Sequence, residues 1–218
     1  MQKKNKYVDF LDDDKFVELV KTVTDVYDNA RGEEKIRKNG VDPFKTIFDM
    51  GKLGLNFKDW KKNELGRQNT KSVENSIGYF HQKLLGSVKG WKDMKVGKGL
   101  DICNDKKTIY IELKNKWNTT KGENKIDVYK KLEKFVKNNK NATAYYAYIN
   151  AKKGNSGKAR IWEVEKGTSN KRVKEIWGRE VYKMVTGDKD ALEKTWKAVN
   201  KVLKLPQKTT KKWFDESY

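Results

Sequence analysis

Between Thr108 and Lys114 the chain alternates strictly. Ile109, Ile111 and Leu113 interleave with Tyr110, Glu112 and Lys114, the period of a strand with one buried face. Glu112 and Lys114 therefore project from the same side of that strand. Upstream, residues 99–103 (Gly-Leu-Asp-Ile-Cys) read as a second, shorter strand, and Asn104-Asp105-Lys106-Lys107 is turn chemistry. Closing that hairpin brings Asp101 beside Glu112 across the ladder.

Elsewhere the apolar spacing is helical. Acids at Asp12-Asp13-Asp14 open a segment with Phe16, Val17, Leu19, Val20 and Val23 on one stripe. Asn39-Gly40 breaks it, and Asp42-Pro43 starts a short helix through Phe44, Ile47 and Phe48. Residues 51–66 read as loop-rich around Trp60. A helix over 72–85 has Ser72 as its cap, Val73, Ile77, Phe80, Leu84 and Leu85 as its stripe, and Gly86 as its stop. After the hairpin, 115–122 reads as a polar, basic loop. An amphipathic helix over 125–138 follows, on Ile126, Tyr129, Leu132, Phe135 and Val136. Residues 143–151 and 159–164 are apolar strands, 176–186 fits either period, and 188–205 is a last helix ended by Pro206. Strands interrupted by helices predict an α/β fold, a mixed central β-sheet flanked by helices with a helical N-terminal region. The expected division is a helical region over 1–70 serving as dimer contact or DNA clamp, a core over 71–205 and a polar tail over 206–218.

Composition narrows the chemistry. Seven Trp, ten Tyr and eight Phe supply core bulk in a chain of 218 residues. One cysteine excludes an internal disulfide, and with a single histidine it argues against a His/Cys zinc site. Any metal should then be oxygen-liganded, meaning Mg²⁺ or Mn²⁺. No apolar run approaches a membrane span, and the N-terminus lacks an apolar signal segment, so a cytoplasmic, non-membrane protein is expected. Fifty Lys+Arg against thirty Asp+Glu leave a formal charge of +20. Such an excess attracts polyanions, with nucleic acid the default partner.

Two carboxylates and a lysine at one end of a hairpin suit a divalent cation and a water molecule, and in so basic a chain the natural substrate is a phosphodiester. An ordinary charged strand edge is the bland alternative, since Glu123-Asn124-Lys125 has the same spacing. That copy, however, does not end an alternating strand preceded by another strand with its own aspartate.

A helix, a hairpin carrying Asp and Glu-x-Lys, an amphipathic helix and a further strand together resemble the core of the PD-(D/E)xK nuclease superfamily. The lettering is closer still. Glu64-Leu-Gly-Arg67-Gln68, the run from Lys71 through Glu74, Asn75, Gly78, Phe80, His81 and Gln82 to Gly86, Gly90-Trp91, Glu112-Leu-Lys114-Asn115-Lys116-Trp-Asn118-Thr119 and Val185-Thr186-Gly187 resemble Type II restriction endonucleases that cut GGNCC- or GGWCC-type sites. With Asp42-Pro43-Phe44 upstream, the likeness runs over 40–205. The chain departs from the pattern in two places. Trp117 stands where the family often has His, and Leu100 where the superfamily has Pro before its first aspartate.

The resemblance implies a restriction-endonuclease-like core, Asp101 and Glu112 as metal ligands with the Leu113 carbonyl as a third, and Lys114 orienting or deprotonating the water. It also implies a further carboxylate for a second metal early on the helix beside the hairpin, at Glu74; the plain alternative is an exposed glutamate stabilised by the helix dipole. Asn115, Lys116, Asn118 and Thr119 directly follow the catalytic lysine and are expected to contact DNA, with Lys121 extending the basic surface. Gln82 could donate to a phosphate or base edge. For His81, packing or a DNA-backbone contact is favoured over a general base.

The expected activity is Mg²⁺-dependent, site-specific hydrolysis of double-stranded DNA leaving 5′-phosphate ends, with Mn²⁺ able to substitute. Cutting both strands calls for a homodimer, and a cognate DNA methyltransferase is the implied genetic partner. Two alternatives stand beside it: a structure-specific repair or junction nuclease on the same core, and a non-catalytic basic DNA-binding protein.

Overall fold

The hairpin lies inside a six-stranded mixed sheet of order β1-β2-β3-β4-β6-β5. A computed structural model of the chain describes residues 5–28, 40–94, 99–118, 122–151, 157–165, 169–206, 210–212 and 214–215. Its strands are β1 (Trp91–Asp93), β2 (Ile102–Asn104), β3 (Ile109–Lys116), β4 (Thr143–Asn150), β5 (Arg160–Ile161) and β6 (Val173–Trp177). Antiparallel pairing joins β1 to β2 and β2 to β3, while β3–β4 and β4–β6 are parallel and β5 closes the far edge antiparallel to β6. The helices among the described residues are α1 (Asp13–Asp28), α2 (Pro43–Leu53), α3 (Phe57–Gly86), α4 (Gly122–Asn138), α5 (Gly178–Thr186) and α6 (Ala191–Val202).

Two compact units emerge, one of residues 1–20 with 78–218 and the other of 21–77. In the larger unit, α4 covers one sheet face. Tyr129, Leu132 and Val136 pack there on Cys103, Tyr110, Ala144, Tyr146 and Trp162. Tyr146 stacks on Trp162 with ring centroids 4.2 Å apart. The opposite face carries the fully buried register partners Ile102 and Ile111, and α5 packs against β4 and β6. Both faces of β3 are thus covered, as a strand with a parallel neighbour requires. The expectation of one buried face does not hold: Tyr110 and Glu112 are buried together with Ile111 and Leu113.

Four local expectations also change. Residues 57–66, expected as loop, begin the 30-residue helix α3. Ser72 is consequently no cap; it sits inside that helix and its hydroxyl donates to the Gln68 carbonyl at 3.1 Å, the back-bonding open to serine within a helix. β3 runs on to Lys116 where a loop was expected. Only Arg160–Ile161 of the 159–164 segment pairs as a strand, and 176–186 resolves into the end of β6 followed by α5.

The smaller unit is held by polar contacts along its helices. Asp42 caps α2 by accepting from the amides of Phe44 and Lys45, with Pro43 in the first turn. Trp60 donates its indole N–H to Asp49 at 3.3 Å. Buried Glu64 takes the Arg67 guanidinium and the Gln68 amide, which holds its carboxyl down at about 2, chiefly through the Arg67 hydrogen bond. No residue of α2 is buried, and Phe44, Ile47 and Phe48 form an exposed apolar stripe.

Candidate active site

The turn that closes the hairpin is built by one asparagine. Asn104 accepts the amides of Thr108 and Ile109 at 2.8 and 2.9 Å and donates to the Thr108 hydroxyl at 2.9 Å. These bonds set the register Ile102↔Ile111 and Cys103↔Tyr110. The pairing stops there: Asp101, expected on the first strand, lies just ahead of β2, and its amide donates to the Ile111 carbonyl at 3.1 Å. Glu112, two residues after Tyr110, shares its α4-facing side of β3, and its charge acts directly on the Asp101 carboxyl.

Around that pair the polar contacts are dense. Lys114 donates to one oxygen of Glu112 at 2.8 Å, and Lys131, reaching down from α4, donates to the other at 3.0 Å. Asp101 accepts the Leu113 amide at 2.7 Å. In an extended strand the N–H and C=O of a residue point to the same edge, so the Leu113 carbonyl is turned toward the Asp101 side of β3. Burial, and then the neighbouring Glu112 charge, push the Asp101 carboxyl up to about 6, against the Leu113 amide and the two lysines. For Lys114, burial opposes the ammonium, but the charge and hydrogen bond of Glu112, with Asp101 beyond, outweigh it and lift its pKa above the ordinary lysine value. Lys114 is therefore a cation here.

Two neighbouring hard carboxylates, with a main-chain carbonyl alongside, fit a divalent cation of the Mg²⁺ class. Among the described residues no group of three or more His, Cys, Asp and Glu side chains forms a richer donor set. Further ligands to such an ion would have to come from main chain, water or substrate.

The structure brings Asp101, Glu112, Leu113 and Lys114 together. Asn115 and Lys116, half-buried, follow at the end of β3, where Lys116 lies beside Asn150. Trp117 and Asn118 are exposed. Thr119 and Lys121 lie outside the described residues. Gln82 donates to Asp93 of β1 at 2.9 Å, next to the Lys83–Asp93 ion pair. His81 is buried, with Nδ1 2.7 Å from the Tyr182 hydroxyl and its ring edge-on to Phe80. Burial drops its pKa to about 4, so it is neutral at physiological pH. Glu74 is exposed on α3 and belongs to the 21–77 unit.

Lys131 was not expected at the site. It falls between Val128 and Phe135 at helical spacing, both of which pack on the sheet-facing cluster. That position was the available signal, but Lys130 and Lys134 beside it look the same in the sequence.

A family model described as Eco47II restriction endonuclease matches residues 8–205. The Type II restriction enzyme Sau96I of Staphylococcus aureus is 33% identical over 203 residues, covering 87% of this chain and 77% of its own. The Type II restriction enzyme Eco47II of Escherichia coli is 33% identical over 198 residues, covering 86% and 82%.

Proposed function

Because this chain belongs to the Eco47II restriction endonuclease family and is a Type II site-specific deoxyribonuclease, we propose that the β2–β3 hairpin is its hydrolytic centre. Asp101 and Glu112, with the Leu113 carbonyl, would hold Mg²⁺, or Mn²⁺ in its place. The observation that carries this reading is the Asp101 carboxylate held on the Leu113 amide within the field of Glu112, with the Lys114 ammonium 2.8 Å from the glutamate. A divalent cation bound there supplies positive charge to the non-bridging phosphate oxygens and acidifies water. The chain's own groups do the rest. Lys114, held as an ammonium, donates to the attacking water or to the phosphate and balances developing charge. Asp101 and Glu112 fix the geometry, the first anchored on the Leu113 amide and the second on two lysines.

The substrate is double-stranded DNA, and the expected products carry 5′-phosphate ends. A GGNCC- or GGWCC-like site follows from the motif resemblance. Asn115, Lys116, Asn118 and Thr119 continue the chain beyond Lys114 and are assigned to DNA contact, with Lys121 and Gln82 beside them and Glu74 as the carboxylate for a second ion. For His81, burial against Tyr182 supports packing over DNA contact. Cutting both strands at a two-fold site calls for a homodimer, and the exposed Phe44, Ile47 and Phe48 stripe supports the 1–70 region as its contact. A methyltransferase modifying the same site, and action in the cytoplasm where incoming DNA is met, complete the reading. Both relatives are Type II restriction enzymes, which favours discrete sites over branched or mismatched DNA. Among the described residues no helix is long and apolar enough to cross a membrane.

Digesting unmethylated plasmid with Mg²⁺ and sequencing the cut ends tests this directly. Discrete fragments with 5′-phosphates at one short two-fold sequence are expected. Intact plasmid under conditions where the protein binds DNA would overturn the reading.

A further inference from the structure

Glu112 is buried, and each of its oxygens is taken by a different ammonium. Lys114 comes from the same strand. Lys131 comes from α4, whose neighbouring Tyr129 and Leu132 are locked in the core, so the root of Lys131 is fixed relative to β3. Its side chain is only 38% exposed. Two carboxylates and two ammoniums therefore balance in charge without any metal. A dication taken up by Asp101 and Glu112 meets an already neutralised glutamate, and Lys131 draws on the same carboxylate that would ligate it.

Resting on the reading of Asp101 and Glu112 as metal ligands, we infer that Lys131 is a positioning residue of the centre, a built-in counter-ion that holds Glu112 in place before the metal binds and competes with the metal for it. Lys131 orders the glutamate and, together with Lys114, offsets the cost of burying its charge. The same contact weakens metal binding, because a positive charge must give way when another arrives. Once displaced, the ammonium remains within a side-chain length of the pair, on a side chain that still reaches solvent, and adds to the positive surface facing a phosphate.

The test is Mn²⁺ binding to the DNA-free protein, followed by calorimetry at low ionic strength, where charge effects are least screened. Lys131→Met should bind Mn²⁺ about three- to tenfold more tightly than wild type, while Lys131→Arg, which keeps the charge, should stay within about twofold of it. Lys131→Gln serves as a second neutral variant and should follow Lys131→Met. Equal or weaker binding by both neutral variants, with wild type binding normally, overturns the role of Lys131 and leaves the metal reading standing. Asp101→Ala separates the two ideas: if wild type binds no Mn²⁺ that Asp101→Ala abolishes, the metal reading itself fails, and the inference with it.

Discussion

Asp101 accepts the backbone amide of Leu113 at 2.7 Å, a side chain standing where the ladder's next main-chain rung would fall. The bond ties the loop before β2 to the strand that carries Glu112 and Lys114. It also separates two roles of this residue, charge and anchorage.

Asp101→Asn keeps an acceptor for the Leu113 amide and loses the charge. Plasmid cleavage should fall by on the order of a hundred- to a thousandfold, with the melting temperature nearly unchanged. Cleavage within about tenfold of wild type would show that the Asp101 carboxylate is not a ligand.

Lys114 sits in a half-buried slot against Glu112, which a compact ammonium fills and a planar guanidinium does not. Both Lys114→Met and Lys114→Arg should therefore lose cleavage, while gel-shift binding with Ca²⁺ in place of Mg²⁺ stays within a few-fold. Restoration by arginine would reduce the role of Lys114 to charge alone.

Gly99, two residues ahead of Asp101, has φ +103°, and a β-carbon there would lie 2.7 Å from the Phe135 ring. Gly99→Ala combines a disfavoured backbone conformation with overpacking and should cost about 2 to 4 kcal/mol in urea unfolding. Adding Phe135→Leu should recover part of that loss. A fully stable Gly99→Ala protein would mean that the loop is not pinned as described.

His81 gives a pH dependence of known sign. Burial lowers its pKa from 6.5 to about 4, so between those values the unfolded chain binds a proton that the folded chain refuses. Its contribution to stability is complete above about pH 6.5 and is lost progressively as the pH falls toward 4. The stability advantage of wild type over His81→Gln should shrink by roughly 2 kcal/mol between pH 6.5 and 5. A constant difference across that range would mean that the histidine is not held neutral by burial.

The hairpin was legible in the sequence because what forms it is local: period-2 apolar positions and an asparagine-led turn, with Asp101 one residue ahead of the paired strand rather than on it. The helix over 57–86 was less so. Gly66 and Ser72 are local helix-weakening signals, yet Glu64 binds Arg67 and Gln68 at helical spacing and Ser72 turns its hydroxyl back onto the helix. Those contacts carry the helix through a stretch whose composition suggests a loop.

The order of residues along the chain was enough to bring Asp101, Glu112 and Lys114 to one hairpin and to give the family, since the turn and the strand spacing are local. It did not reveal that Glu112 is buried under α4 with Lys131 on its second oxygen, or that His81 meets Tyr182 across a separation of 101 positions. Such contacts depend on how helices settle on a sheet, and no periodicity within one element encodes which lysine of several faces inward. Packing makes that choice, and with it the charge and solvation of the site.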